Sequence, residues 1–191
     1  GALWQELRRR YKRRKRHYGL ERRGRLQGKP SIDNRPESVD ARQEVGHYEG
    51  DTVHGASWEK ACVVTVVERV TGLLLVGKSA DKTVESVNKV LIRLLRESPL
   101  PVHTLTLDNG TEFHGYRRVE EATGVQIYFA RPHHPWQRGT NENTNGLLRQ
   151  YWPKRTSMAN LTQRHCNQVA YKINSRPRKR HGYLSPLQLI S

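Results

Sequence analysis

The sequence predicts an α/β fold in which a mixed five-stranded sheet is flanked by helices. Two observations predict this class: β-branched runs follow one another closely in the first half of the chain, and helical and strand-like periods then alternate. The length of 191 residues suits one folded domain with appendages.

The first half of the folded region predicts three antiparallel strands followed by a helix. Strands are expected at 48–53, 61–67 and 73–78, and the last two are joined through a turn at 69–72 that ends in glycine. Valine and leucine then recur at helical spacing over 82–97, and prolines follow directly. This helix is expected to cover one face of the sheet.

The second half completes the sheet and adds two helices. Strands are expected at 102–107 and 125–130, separated by a short helix over 116–123 that Gly124 closes. After a loop rich in proline and histidine, helices are expected at about 140–151 and 161–174.

Positive charge is concentrated at both ends of the chain. The formal net charge is +16, of which residues 1–29 contribute +10 and residues 143–191 contribute +9, while the middle carries −3. This distribution is typical of a protein that holds nucleic acid against a site bearing carboxylates; the alternative is a solvated basic tail. The predicted organisation is a basic DNA-binding segment (1–29), an extended linker (30–45) and a folded core with a basic tail (46–191).

Membrane and disulfide-rich classes are excluded. No stretch approaches the roughly 20 apolar residues of a membrane span, and no signal peptide is visible. Cys62 and Cys166 lie far apart in apolar patterns, so they form neither a disulfide framework nor a zinc site. A cytoplasmic protein is expected.

Three acids occupy positions that suit chemistry. Asp51 lies in the first strand, Asp108 ends a strand before an Asn-Gly turn, and Glu142 lies in the first turn of a late helix. Carboxylates that meet at one point repel unless a cation neutralises them. All-oxygen ligands favour Mg²⁺ or Mn²⁺, and a pair of such ions serves phosphoryl transfer. The alternative is that these acids are separate surface or capping residues.

A basic residue shares a helix face with the third acid. Arg149 follows Glu142 by seven residues, or about two helical turns, and Asn145 lies between them on that face. The pattern suits a carboxylate for metal beside a guanidinium for phosphate; an ordinary charge pattern along the helix is the alternative.

Three motifs carry a family resemblance. They are GHYEGDTV at 46–53, LDNGTEF at 107–113 and WQRGTNENTNGLLRQY at 136–151. Together they resemble the catalytic core of IS-thirty-type insertion-sequence transposases, within the DDE transposases and retroviral-type integrases. Thirty-three residues separate Asp108 from Glu142, as in that family, and Arg149 matches its basic residue.

The resemblance implies a ribonuclease H-like fold and a metal-dependent enzyme. Asp51 would bridge two Mg²⁺ or Mn²⁺ ions, and Asp108 and Glu142 would each complete one of them. The implied reaction cuts double-stranded DNA at the element's ends and transfers the 3′-hydroxyl into target DNA, without a covalent protein–DNA intermediate. A homo-oligomer on DNA, associated with the bacterial nucleoid, is expected. The expected DNA contacts are Arg13, Arg14, Arg16, Arg138, Asn145, Arg149, Lys154, Arg176, Arg178, Lys179 and Arg180.

Several details of the motifs remain open. Glu49 and Glu112 flank the predicted acids but rank below them, because Glu49 is two residues from Asp51 on the same strand face and Glu112 lies past the turn. The pair His133-His134 departs from the family pattern and is expected to be exposed or near phosphate, with contact to metal or DNA as the alternative. Trp136 and Trp152 are expected to pack in the core, with stacking on unpaired bases as the alternative.

Two other functions compete with a transposase. One is a basic DNA-binding module whose acids do not act, and the other is a ribonuclease H-type nuclease that only hydrolyses. Relatives carry N-terminal helix-turn-helix modules that residues before Leu3 do not encode. The chain is therefore expected to be a catalytic fragment with weak recognition of specific ends.

Overall fold

The computed structural model describes residues 28–132 and 134–191. The predicted DNA contacts Arg13, Arg14 and Arg16 lie outside the described residues, as does His133. No helix in the described part of the chain is long and apolar enough to cross a membrane.

The structure confirms the predicted mixed five-stranded sheet. The strands are β1 (His47–His54), β2 (Cys62–Glu68), β3 (Leu74–Ser79), β4 (Thr104–Leu107) and β5 (Gln126–Phe129). Their order is β3-β2-β1-β4-β5, in which β1 to β3 are antiparallel and β4 and β5 run parallel to β1. β1 is thus the central strand, and it carries the first predicted acid.

Five α-helices accompany the sheet in the described part of the chain. They are α1 (Glu37–Ala41), α2 (Val84–Arg96), α3 (Tyr116–Thr123), α4 (Gly139–Leu148) and α5 (Gln163–Asn174). Thr83 and Thr162 cap α2 and α5 through their hydroxyls, and Gly124 ends α3 in the left-handed conformation. α4 ends three residues earlier than predicted, because the chain turns at 149–152.

Alternate residues of β2 pack into two separate hydrophobic cores, one on each face of the sheet. Val64 and Val66 join the cluster under α2 and α3, whereas Val63 and Val67 join the cluster under α4 and α5. The sheet is therefore buried between two helical layers, and its central strands are apolar on both faces. This packing fixes α4 against β1 and β2.

Residues 30–45 fold differently from the extended linker that the sequence suggests. The segment contains a 3-10 turn at Ile32–Asn34 and the helix α1, and both Ile32 and Val39 are buried. The buried Arg35 side chain donates a 2.8 Å hydrogen bond to Thr106 Oγ1 on β4. Packing against the sheet therefore orders this segment, despite its prolines and polar composition.

Trp136 and Trp152 lie in different surroundings. Trp152 packs against the second core cluster, as predicted. Trp136 does not: its side chain is 68% exposed, and its ring lies 4.5 Å from the ring of His134. The 3-10 turn at Pro135–Arg138 places Trp136 outside both cores.

Candidate active site

Parallel pairing of β1 with β4 brings Asp51 beside Asp108. Glu49 pairs with Thr106 in this ladder, so two residues further along both strands Asp51 faces Asp108. Asp108 directly follows the last residue of β4 and accepts a 2.8 Å hydrogen bond from the Gly110 amide. Asp108 thus lies at the carboxyl end of β4, as the sequence predicts, beside Asp51 within β1.

Arg138 lies against both acids. Its Nη2 donates to Asp108 Oδ2 at 3.3 Å, and its Nη1 lies 3.7 Å from Asp51 Oδ2. Nη1 also donates to the Gly50 carbonyl at 3.0 Å, which anchors the guanidinium to β1. The turn before α4 therefore supplies a cation to the acidic pair.

Asn145 connects α4 to Asp51. Its Nδ2 donates a 2.7 Å hydrogen bond to Asp51 Oδ2, while the Thr52 amide donates to Oδ1 at 2.8 Å. The Oδ1 atom of Asn145 is buried without a hydrogen-bond partner. An amide oxygen thus stands unpaired next to the carboxylates.

Burial raises the pKa of Asp51 to about 6. This pKa is the net result: repulsion by Asp108 acts in the same direction as burial, whereas Arg138 and the hydrogen bonds from Thr52 and Asn145 act against both. Two neighbouring carboxylates in a partly desolvated environment, one with a raised pKa, are typical of functional sites.

Replacing Asp51 by asparagine is expected to stabilise the fold above about pH 6. The pKa of Asp51 is higher in the folded chain than its ordinary value of 3.8, so the folded state binds more protons and ionisation of Asp51 destabilises it as pH rises from about 4 through about 6. Thermal unfolding across pH measures this. The melting temperature of Asp51→Asn should exceed that of the wild type at pH 8 and approach it near pH 4. A constant difference at every pH would contradict the assignment.

Glu142 lies in the first turn of α4 with an exposed side chain. It is one turn before Asn145, and so on nearly the same side of the helix. Among residues 28–132 and 134–191, no three His, Cys, Asp or Glu side chains are close enough to hold a metal ion. The structure therefore brings two of the three predicted acids together and leaves Glu142 apart.

Arg149 makes contacts that its sequence position does not reveal. Its Nη1 donates to the carbonyl of His54 at 2.7 Å and to that of Trp152 at 3.3 Å. These bonds tie the end of β1 to the turn after α4, and burial lowers the pKa of the guanidinium. A contact between Arg149 and phosphate stays a prediction.

The basic tail folds back on the core. Arg176 donates to Gln150 Oε1 and Tyr151 Oη, Arg178 donates to the Ile173 carbonyl, and Arg180 donates to the Arg69 carbonyl. Lys154 and Lys179 are exposed. Contacts of these five residues with DNA stay predictions.

Glu49 has a role that the sequence does not predict. Its side chain is fully buried, with Oε1 3.1 Å from Arg69 Nε, outside hydrogen-bond alignment, and Oε2 accepts a 2.8 Å hydrogen bond from the Asn141 amide. Glu49 therefore fixes the start of α4 relative to β1. Glu112 accepts a 2.8 Å hydrogen bond from Thr52 Oγ1.

The order and directions of the strands are those of a ribonuclease H-like fold. Solved structures share this fold. A chain of the simian T-cell lymphotropic virus intasome, in complex with PP2A regulatory subunit B56 gamma, superposes with a TM-score of 0.61 at 16% identity, over 76% of this chain and 54% of that one. The catalytic core domain of BIV integrase gives 0.55 at 19% identity, over 75% and 92%.

Sequence comparisons show which protein family the chain resembles. Residues 41–135 match the integrase core domain family. The transposase for insertion sequence element IS1086 of Cupriavidus metallidurans is 42% identical over 95% of this chain and 54% of its own length. Transposase InsI for element IS30A of Escherichia coli K12 is 39% identical over 83% of this chain and 41% of its own length. The chain belongs to the integrase core family, among the relatives of IS30-type insertion-sequence transposases. It spans about half the length of the curated relatives it matches.

Proposed function

We propose that this chain is the catalytic core of a DDE transposase, which cleaves double-stranded DNA at transposon ends and joins the 3′-hydroxyl to target DNA. The observation that carries the proposal is the pair Asp51 and Asp108 on neighbouring strands, with Arg138 against both. Family membership supports it, since transposases and integrases act on DNA.

The residues at the site suit a divalent cation, which this family generally uses. Asp51 and Asp108 offer carboxylate oxygens, and the unpartnered Asn145 Oδ1 adds an amide oxygen. This all-oxygen set favours Mg²⁺ or Mn²⁺. Glu142 is exposed one turn before Asn145 on α4, and its flexible side chain would complete a site for two ions. Bound metal supplies Lewis-acid stabilisation of charge on the phosphate and lowers the pKa of water.

The chain's own residues position these groups. Asn145 and the Thr52 amide each hold one oxygen of Asp51, which fixes the plane of that carboxylate. Arg138 offsets the repulsion between the acids and lies where its guanidinium can pair with a phosphate oxygen beside them. Glu49 holds the start of α4, and so the position of Glu142.

The proposed partners are the transposon ends and target DNA, bound by a homo-oligomer of this chain at the bacterial nucleoid. The charge of +16 supports binding to a polyanion. Bacterial relatives support the setting.

The test is strand cleavage and joining with a pre-cut oligonucleotide and a supercoiled plasmid, in Mg²⁺, Mn²⁺ or EDTA. A branched duplex that mimics the joined product tests the reverse reaction without recognition of specific ends. The wild type is compared with Glu142→Gln and with Glu121→Gln, a matched control at an exposed glutamate on α3.

Metal-dependent joining that Glu142→Gln abolishes and Glu121→Gln retains would support a transposase with Glu142 in the site. Hydrolysis without joining in either direction would favour the nuclease. DNA binding that is equal in EDTA and Mg²⁺, without reaction on any substrate, would favour the non-catalytic module.

A further inference from the structure

A polar cleft of about 340 Å³ opens along α4 on the side away from the acids. The helix contributes Thr140, Asn143 and Thr144 to this cleft. Asn145, which contacts Asp51, lies roughly half a turn away around the helix axis. An α-helix with its side chains is about 10–12 Å across. A group bound in the cleft is therefore distinct from a phosphate reacting at Asp51.

The cleft has cationic walls. Four of its described lining residues are basic and none is acidic; the basic ones are Arg42, Arg178, Lys179 and Arg180. Arg180 is held in place by the Arg69 carbonyl and lies against Gly72 in the turn between β2 and β3.

Arg42 and Arg180 repel each other across the cleft. Burial lowers the pKa of the Arg180 guanidinium, and the charge of Arg42 lowers it further. Glu68 and Glu49 act in the opposite direction, but Glu68 accepts bonds from the Thr71 amide and hydroxyl, and Glu49 is engaged by Arg69 and the Asn141 amide. An anion between the two arginines would relieve this repulsion.

Thr140 adds an unused donor. The residue is 8% exposed and lines the cleft, yet its hydroxyl has no hydrogen-bond partner. A buried hydroxyl without a hydrogen-bond partner destabilises the fold, and a bound acceptor would remove that penalty. Thr140 is the second residue of α4, and the Asn141 amide that follows it already donates to Glu49 Oε2. The free donor at this end of the cleft is therefore the Thr140 hydroxyl.

We propose that this cleft binds a backbone phosphate of DNA other than the one that reacts, with Arg42, Arg180 and the Thr140 hydroxyl as its ligands. The assignment of DNA rests on the proposed function. Guanidinium groups match phosphate geometry, and a hydroxyl donor adds direction that charge alone does not provide. The cleft thus binds the DNA duplex on the side of α4 opposite the acids.

The test measures affinity for a fluorescent DNA duplex in EDTA over a series of salt concentrations. Arg42→Gln and Arg180→Gln are each expected to weaken binding about 10-fold and to reduce the salt slope by about one. Thr140→Val, which keeps shape and charge, should weaken binding several-fold with an unchanged slope. Arg117→Gln, at an exposed arginine on α3, is the matched control for loss of one charge.

Cleft variants that bind DNA like Arg117→Gln would overturn the proposal. A second result would also overturn it: pyrophosphate raises the melting temperature of the wild type but not of Arg180→Gln, while both proteins bind DNA equally. The cleft would then be a site for a free anion. If Thr140→Val fails to fold, Arg42→Gln at an exposed side chain decides the question. Binding in EDTA requires no chemistry, so a wild type that fails to join DNA would contradict the proposed function without affecting this result.

Discussion

Replacing Asp108 by asparagine is expected to slow strand joining by about 10³-fold, the scale of losing a principal electrostatic group in an active site. Asparagine keeps the shape of the side chain and an oxygen that can accept from the Gly110 amide, so the turn after β4 should persist. It removes the negative charge with which Asp108 would hold the proposed divalent cation. Single-turnover joining on a pre-cut substrate measures the loss.

DNA affinity separates a chemical role of Asp108 from a structural one. It should be unchanged or higher in Asp108→Asn, because one negative charge near phosphate is gone. Asp33→Asn is the matched control, since Asp33 is exposed and its carboxylate pairs with Arg131. Parallel losses of joining, affinity and melting temperature in Asp108→Asn would show a structural role instead.

Replacing Glu49 by alanine is expected to lower the free energy of unfolding by about 3–5 kcal/mol, as when one partner of a buried ion pair is removed. The substitution leaves the buried Arg69 with only the exposed Asp40 as a carboxylate partner, and the Asn141 amide without its acceptor. Urea denaturation followed by fluorescence measures the change.

Two comparisons make this prediction specific. Glu44→Ala removes an exposed glutamate that only approaches His47 and His103, so it should cost less than about 1 kcal/mol. Glu49→Gln keeps an acceptor for Asn141 and should cost less than Glu49→Ala. A loss below about 1 kcal/mol for Glu49→Ala would mean that the start of α4 is held by other contacts.

Local periodicity was enough to predict most of the architecture. The apolar runs of β2 and β3 and the amphipathic spacing of α2 depend on neighbours in sequence. Residues 30–45 were missed because their order comes from distant partners: Arg35 reaches Thr106 on β4, and Arg69 donates to the Val39 carbonyl. The prolines and polar side chains of this segment form no periodic pattern, so these few buried contacts could not be predicted.

The candidate site was predictable only in part. Sequence patterns locate both members of the pair, Asp51 within the first strand and Asp108 at the end of the fourth. The neighbours of that pair depend on where α4 docks. Arg138 was expected to contact DNA and lies against the acids, while Arg149 was expected at phosphate and binds two carbonyls. Glu49 shares a strand face with Asp51, so only burial and the contact with Arg69 distinguish their roles.

The most direct measurement of the central claim is strand joining by Asp108→Cys in Mg²⁺ and in Mn²⁺, beside the wild type and Asp108→Asn. A thiolate is a poor ligand for Mg²⁺, and softer ions accept it more readily. If Asp108 holds the divalent cation, Asp108→Cys should be inactive in Mg²⁺ and recover part of its activity in Mn²⁺, while Asp108→Asn stays inactive in both. Wild-type joining that persists in EDTA, or joining by Asp108→Cys that is equal in the two metals, would contradict the account.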